Sequence, residues 1–263
     1  MLDLEEDNSN IQPTKMELNI VYEDNAILVV NKPAGIAVHP SILHYTDSLS
    51  NGIKYYFDSI KLKKKIRPVN RLDLNTSGLV VFAKNEYIQE CLIKQMENGS
   101  FKKEYIAIVK GILPNKKGTI NAPIARKENS IIERCVQKDG KPSITHYEVL
   151  GEYTFNIKPL QNTTLTKKHI LKLQPYAKNK QHTYTPFKIS IIKCRLETGR
   201  THQIRVHMAY TGHPLLGDTL YGVPSKLIKR QALHCSKLCF IHPISKKAIS
   251  LECNLPPDFT TFF

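Results

Sequence analysis

The run Asn70-Arg71-Leu72-Asp73-Leu74-Asn75-Thr76-Ser77-Gly78 sets one carboxylate beside a cation, between Pro68 and a Thr-Ser-Gly turn. A carboxylate there can act as a nucleophile or stabilise developing positive charge, provided a rigid element presents it. Leu79-Val80-Val81-Phe82-Ala83 reads as a buried strand, which places Asp73 at a strand mouth. Arg71 is near enough in sequence to form a salt bridge with it. Taken alone, Asp73 reads first as a carboxylate that caps a turn. Asp73-Leu74-Asn75-Thr76 is partly like a phosphatase nucleophile loop. That loop needs a hydrophobic strand upstream and a second Asp, and this chain has Ile66-Arg67-Pro68-Val69-Asn70 and Asn75 in those places. The Asp-Thr-Gly pair of an aspartic protease is absent.

His234-Cys235, Cys239 and His242 have the residue types of a zinc site. Zinc sites commonly use tighter Cys-x2-Cys pairs and a second well-spaced pair, so this segment reads as packed structure. Gly111 and Gly118 flank a plain loop, and no glycine motif that cradles phosphate is present. The six cysteines are scattered, and in a reducing compartment they read as free thiols. No cofactor and no metal are expected.

The elements that must hold these residues follow from pattern and punctuation. Ile20–Val30 reads as two strands across a Glu-Asp-Asn turn. A helix is expected from an Asp47 cap, with Leu49, Ile53, Tyr56, Phe57 and Ile60 on one face. Asn85 caps a second helix that buries Ile88, Cys91, Leu92 and Met96. Strands are expected over Lys103–Val109, Thr119–Ile124, Ile144–Leu150 and Ile189–Leu196. Thr201 caps a third helix, which carries Ile204 and Met208 and stops at Gly212. Two strand-like runs close the chain. Strands predominate and the spacers are too varied for a βαβ series, so the class is α+β with a mixed, largely antiparallel sheet and flanking helices.

Thirty-eight Lys and Arg against 23 Asp and Glu leave a formal charge of +15, which suits a polyanionic partner. Tyr153–Phe187 holds six lysines and no acidic residue. It is expected to be an insertion whose lysines touch phosphates, or else a solvated loop. Deleting it should weaken binding to that polyanion and flatten the salt dependence. No stretch is long and apolar enough to span a bilayer, and the acidic start lacks a signal pattern, so a cytoplasmic location is expected.

Asn70-Arg71-Leu72-Asp73 with Thr76-Ser77-Gly78 and Ala83-Lys84 resembles the central motif of the RluA-type pseudouridine synthases, with Asn70 where that family usually has His. Val21-Tyr22-Glu23-Asp24, Val30-Asn31-Lys32-Pro33-Ala34-Gly35 and Val38-His39-Pro40 resemble its first block. Lys103-Glu104-Tyr105 resembles its Lys-x-Tyr motif. Glu197-Thr198-Gly199-Arg200-Thr201-His202-Gln203-Ile204-Arg205-Val206-His207 is similar to its third block. Gly212-His213-Pro214, Gly217-Asp218 and Leu220-Tyr221-Gly222 continue the match, and Leu233-His234, His242-Pro243 and Leu255-Pro256 close it.

The resemblance implies isomerisation of uridine to pseudouridine in ribosomal or transfer RNA by a monomer with a central active-site cleft. It gives Asp73 the role of reacting carboxylate, Arg205 that of its ion-pair partner, and Tyr105 a place near the uracil. A carboxylate in a closed pocket needs such a cation. Ile204 would rest against the base, and Arg71 would fill the RNA stack after the nucleotide flips out. Arg200, His202 and Gln203 complete the expected substrate contacts. Residues 1–16 are expected to form a loose arm and 17–263 the catalytic domain with a basic insertion at about 153–187, and no S4 domain is expected. Two rival functions are a non-catalytic RNA-binding factor on the same fold and a phosphohydrolase using Asp73. The second would need a divalent ion and a further carboxylate.

Overall fold

The computed structural model describes residues 11–157 and 185–262, which fall into two compact units. One takes the described residues up to Glu104 together with His234–Asn254, the other Tyr105–Leu233 and Leu255 onward. The chain passes from the first to the second inside strand β5 (Lys102–Lys110) and returns at the start of β11 (Leu233–Ile241).

In the first unit the strand order is β1 (Ile20–Glu23), β2 (Ile27–Lys32), β4 (Ser77–Ala83), β11. Short β3 (Arg67–Pro68) pairs with β4, and β12 (Ala248–Glu252) pairs with β11. The expected turn between β1 and β2 forms because Asp24 accepts from the Ala26 and Ile27 amides at 2.7 and 2.8 Å. β2 and β4 are antiparallel from Ile27↔Ala83 to Lys32↔Gly78. Every residue of β4 is buried, which its unbroken apolar run requires. β4 meets β11 in parallel at Ser77↔His234 and Gly78↔Cys235, so this sheet is mixed.

Helix α1 (Leu49–Ser59) starts one residue later than its Asp47 cap predicts. Ser48 is the cap, and its backbone N–H donates to Asn51 Oδ1 at 3.0 Å, while Asp47 is drawn aside to His44. Leu49, Ile53 and Phe57 are buried as expected, but Ile60 is the exposed C-cap residue. Helix α2 (Glu86–Glu97) has the expected Asn85 cap, whose side chain accepts from the Ile88 amide at 2.9 Å. Ile88 and Leu92 are buried, and Cys91 and Met96 only half so.

In the second unit the order is β5, β10 (Thr185–Leu196), β9 (Ile144–Ile157), β6 (Lys117–Asn121). A separate hairpin joins β7 (Ile124–Arg126) to β8 (Arg134–Val136), so the single strand expected over Thr119–Ile124 breaks at Ala122-Pro123. Pro123 has no N–H to offer a continuing ladder. Ile108, Ile189, Ile191, Leu216 and Phe259 form the core of this unit. β9 and β10 run antiparallel from Leu196↔Thr145 to Thr185↔Ile157, with one irregularity at Ile191/Ile192. Tyr153–Ile157 and Thr185–Phe187 are therefore strand, and the rest of the expected basic insertion lies outside the described residues. Helix α3 (Gln203–Tyr210) is capped by His202, not by Thr201, and ends before Gly212 at φ +82°. No described helix is long and apolar enough to cross a membrane.

Candidate active site

Asp73 is half-buried and opens a turn closed by the Thr76 amide, which donates to Asp73 O at 3.0 Å. The turn is held from beneath by Lys32, which is fully buried. Lys32 Nζ donates to Leu74 O at 3.0 Å, to Ile36 O at 2.7 Å and to Pro33 O at 2.9 Å. An ammonium has three protons, so three carbonyls satisfy a charge that would otherwise be costly to bury. Gly35 N adds a bond to Leu74 O at 2.9 Å, and the Pro33–Ile36 loop is thereby tied to the Asp73 turn.

The flanks are equally fixed. Asn70 is buried, donates Nδ2 to Leu79 O at 3.1 Å and accepts from the Val81 amide at 2.9 Å. It clamps β4 with a donor and an acceptor from one planar group. On the other side Ser77 Oγ lies 2.9 Å from His234 Nδ1. Gly78 has φ +118°, and a Cβ there would sit 2.2 Å from Cys235 O. Only glycine lets β4 begin at this point beside β11.

Arg71 is exposed and, among the described residues, makes no ion pair, so the expected Arg71–Asp73 salt bridge is not formed. Its charge is felt by His39, which partial burial and then Arg71 hold below the usual histidine range. The zinc-like residues are engaged otherwise. His234 Nε2 lies 3.3 Å from Cys253 Sγ, and Cys239 Sγ lies 3.5 Å from Ser250 Oγ. His242 Nδ1 accepts from the Ile244 and Ser245 amides, which leaves its Nε2 proton for Asp24 Oδ2 at 2.9 Å. Among the described residues no group of three His, Cys, Asp or Glu could hold a metal ion.

In the second unit the third sequence block becomes the loop into α3. Gln203 is buried, and its amide is saturated between that loop and β9. Oε1 accepts from Thr198 Oγ1 and the Arg200 amide, both at 2.9 Å. Nε2 donates to Ile144 O at 2.9 Å and Thr145 Oγ1 at 3.1 Å. With four bonds made, Gln203 has none left for the substrate contact expected of it and positions the loop instead. The relay continues with a fixed direction. Thr145 Oγ1 donates to His207 Nδ1 at 2.8 Å, because His207 Nε2 must carry the proton given to Ala122 O at 2.9 Å. Burial holds His207 below the usual histidine range, and the Ala122 bond opposes this only in part.

Arg205 is almost buried and is gripped along one edge by Asp218, which is fully buried. Nε donates to Asp218 Oδ2 at 2.7 Å and Nη2 to Oδ1 at 2.9 Å. Arg205 Cζ lies over the Tyr221 ring, 5.0 Å from its centroid. Burial alone would raise the Asp218 pKa, but Arg205 and the Leu220 and Tyr221 amides bring it below the usual carboxylate range. Gly217 makes the grip possible, since a Cβ there would meet Arg230 O at 2.3 Å. Tyr221 Oη accepts from the Arg134 amide at 2.8 Å and pairs with His202 Nδ1 at 2.7 Å.

The structure thus gathers Gln203, Ile204 and Arg205 on α3, with Arg200 and His202 on its entry. Ile204 is buried, and Arg200 is exposed with Nε on Pro142 O at 3.2 Å. His202 takes a left-handed backbone, φ 59° and ψ 17°, unusual for a residue with a Cβ. Tyr105 is buried on β5 of this unit, and Asp73 and Arg71 belong to the first. Lys32, Asp218 and Tyr221 gained no role from sequence, although each lies in a matched block.

Residues 26–210 match the family described as RNA pseudouridylate synthase, and the chain belongs to that family, in its RluA-type branch. It is therefore an RNA pseudouridine synthase. It is 40% identical over 258 residues to the uncharacterized RNA pseudouridine synthase YhcT of Bacillus subtilis, covering 98% of this chain and 75% of that one. It is 37% identical to ribosomal large subunit pseudouridine synthase D of Neisseria meningitidis, covering 96% of this chain and 62% of that one. The solved human RNA pseudouridylate synthase domain containing 1 shares the fold, with TM-score 0.67 at 24% identity, over 91% of this chain and 84% of that one.

Proposed function

We propose that this synthase isomerises particular uridines of ribosomal RNA, with Asp73 as the reacting carboxylate. The observation that carries the proposal is the Asp73 turn, whose backbone is locked by the buried Lys32 while an exposed Arg71 stands beside it. The reaction breaks the C1′–N1 bond, forms C1′–C5, moves a proton from C5 to solvent and returns one to N1. It needs no redox partner and no group donor. The target lies inside folded RNA, so the nucleotide is flipped out and Arg71 takes its place in the stack. Tyr105 packs near the uracil, Ile204 rests against it, and Arg205 supplies the cation that works with Asp73. Ribosomal RNA is favoured because relatives such as the Neisseria protein carry that name. Transfer RNA is the second substrate to test.

The experiment is tritium release from transcripts of large-subunit ribosomal RNA and of transfer RNA labelled at uracil C5, without cofactor. Wild type releases tritium, undiminished in EDTA, and Asp73→Asn lowers the rate by about 10³-fold or more with RNA affinity unchanged. No release by wild type from either RNA overturns the proposal, and so does an Asp73→Asn variant that works normally.

A further inference from the structure

We propose that Asp218 and Tyr221 are positioning residues that aim the Arg205 guanidinium, an inference that rests on the catalytic reading of Arg205 given above. A guanidinium is planar, with two edges and two faces that can bond or stack. Asp218 takes the Nε–Nη2 edge with two charge-assisted bonds of 2.7 and 2.9 Å. Arg205 Cζ lies over the Tyr221 ring at 5.0 Å from the centroid. The two-bond grip, with the ring contact beside it, restrains rotation of the guanidinium about its stem and so fixes the direction in which its charge is presented. That is the requirement for a cation that acts on a charge appearing only during reaction.

The aiming parts are themselves held. Asp218 accepts from the Leu220 amide at 3.0 Å and the Tyr221 amide at 3.2 Å, so its carboxylate cannot swing with Arg205. Tyr221 is fixed at its far end by the Arg134 amide of β8 and by His202 at the mouth of α3. A pair that merely neutralised a buried arginine would need neither the second set of bonds on the carboxylate nor an anchored ring. These bonds hold the direction of the charge as well as its presence.

The test uses the full-length protein, with tritium release from labelled ribosomal RNA under single-turnover conditions and RNA affinity measured by filter binding. Asp218→Asn keeps the volume but turns one acceptor oxygen into an amino group facing the guanidinium. The expected result is a rate about 10²-fold lower with the dissociation constant for RNA unchanged. Combined with Arg205→Ala it should cost nothing beyond Arg205→Ala alone, because a residue that acts through another has no effect once that one is gone. Additive losses, or a normal rate in Asp218→Asn, would overturn the proposal. Where Asp218→Asn fails to fold, Tyr221→Leu serves. It removes the ring and should lower the rate about tenfold with the same lack of additivity. The Arg205 Nε–H resonance separates this inference from the functional reading. A shifted, slowly exchanging signal that Asp218→Asn or Tyr221→Leu abolishes reports the aiming even if wild type proves inactive on every RNA tried.

Discussion

The Asp73 turn and the Arg205 helix are built by opposite means. In the first unit the locking bonds run to backbone: Lys32 reaches the carbonyls of Leu74, Ile36 and Pro33, and Asn70 grips Leu79 and Val81. In the second, Gln203 divides its amide between backbone and hydroxyl groups, and the charged side chain itself is gripped, by Asp218 on Arg205. A backbone lock fixes where the carboxylate stands. A side-chain lock fixes where a charge points. Damage to a backbone lock should therefore cost stability and rate together, and damage to the Asp218 grip should cost rate more than stability.

The sharpest challenge is Gly78→Ala, which forces a Cβ to within 2.2 Å of Cys235 O at φ +118°. It should destabilise the protein by about 4 kcal/mol, read as a collapse of the thermal midpoint. Lys32→Met comes next. Three carbonyls lose their donor, and about 3 kcal/mol of stability should vanish along with most of the activity. A Lys32→Met variant that is stable yet inactive would break the distinction, since the backbone lock would then be acting like an aimed charge. Gln203→Ala, which frees the Thr198 and Arg200 loop, should cost about 2 kcal/mol by denaturant titration.

The smallest effect is a pH dependence. In the folded protein burial holds His207 below its ordinary 6.5, so the unfolded chain takes up the proton first as pH falls. Stability is then level above about 6.5 and declines below it, by at most about 1.4 kcal/mol per pH unit, until the folded histidine titrates. His39 is depressed as well and adds a loss of the same sign, so the His207 share is the difference between wild type and His207→Gln. Equal slopes in the two proteins would remove His207 as the cause.

Much of this arrangement was legible in the sequence where one residue has one use. The apolar run of β4 admits only a buried strand, and Asn85 before an apolar stripe admits little besides a helix cap. Legibility failed where a residue type has several uses of similar energy. Asp47 and Ser48 can each cap α1, and the choice fell to Ser48 because Asn51 stands three residues on and His44 draws Asp47 away. An amide in the third block can face RNA or its own loop, and only the fold shows that Gln203 has no bond to spare. A lysine in a Lys-Pro-Ala-Gly turn reads as solvated, and nothing local announces that three carbonyls surround Lys32. The Arg71–Asp73 pair failed for a related reason: closeness along the chain does not set the direction in which an exposed side chain points.

The pairing of Thr185 with Ile157 at the far end of β9 and β10 has a consequence for how this protein can vary. A segment entered and left through two hydrogen-bonded neighbours is, to the rest of the chain, interchangeable with a tight turn. Whatever lies between those positions can be lengthened, shortened or replaced in a lineage without shifting the register of the strands below. The same property makes the position a graft point for an engineer, where a reporter or an affinity tag could be spliced in with the enzyme's own framework intact.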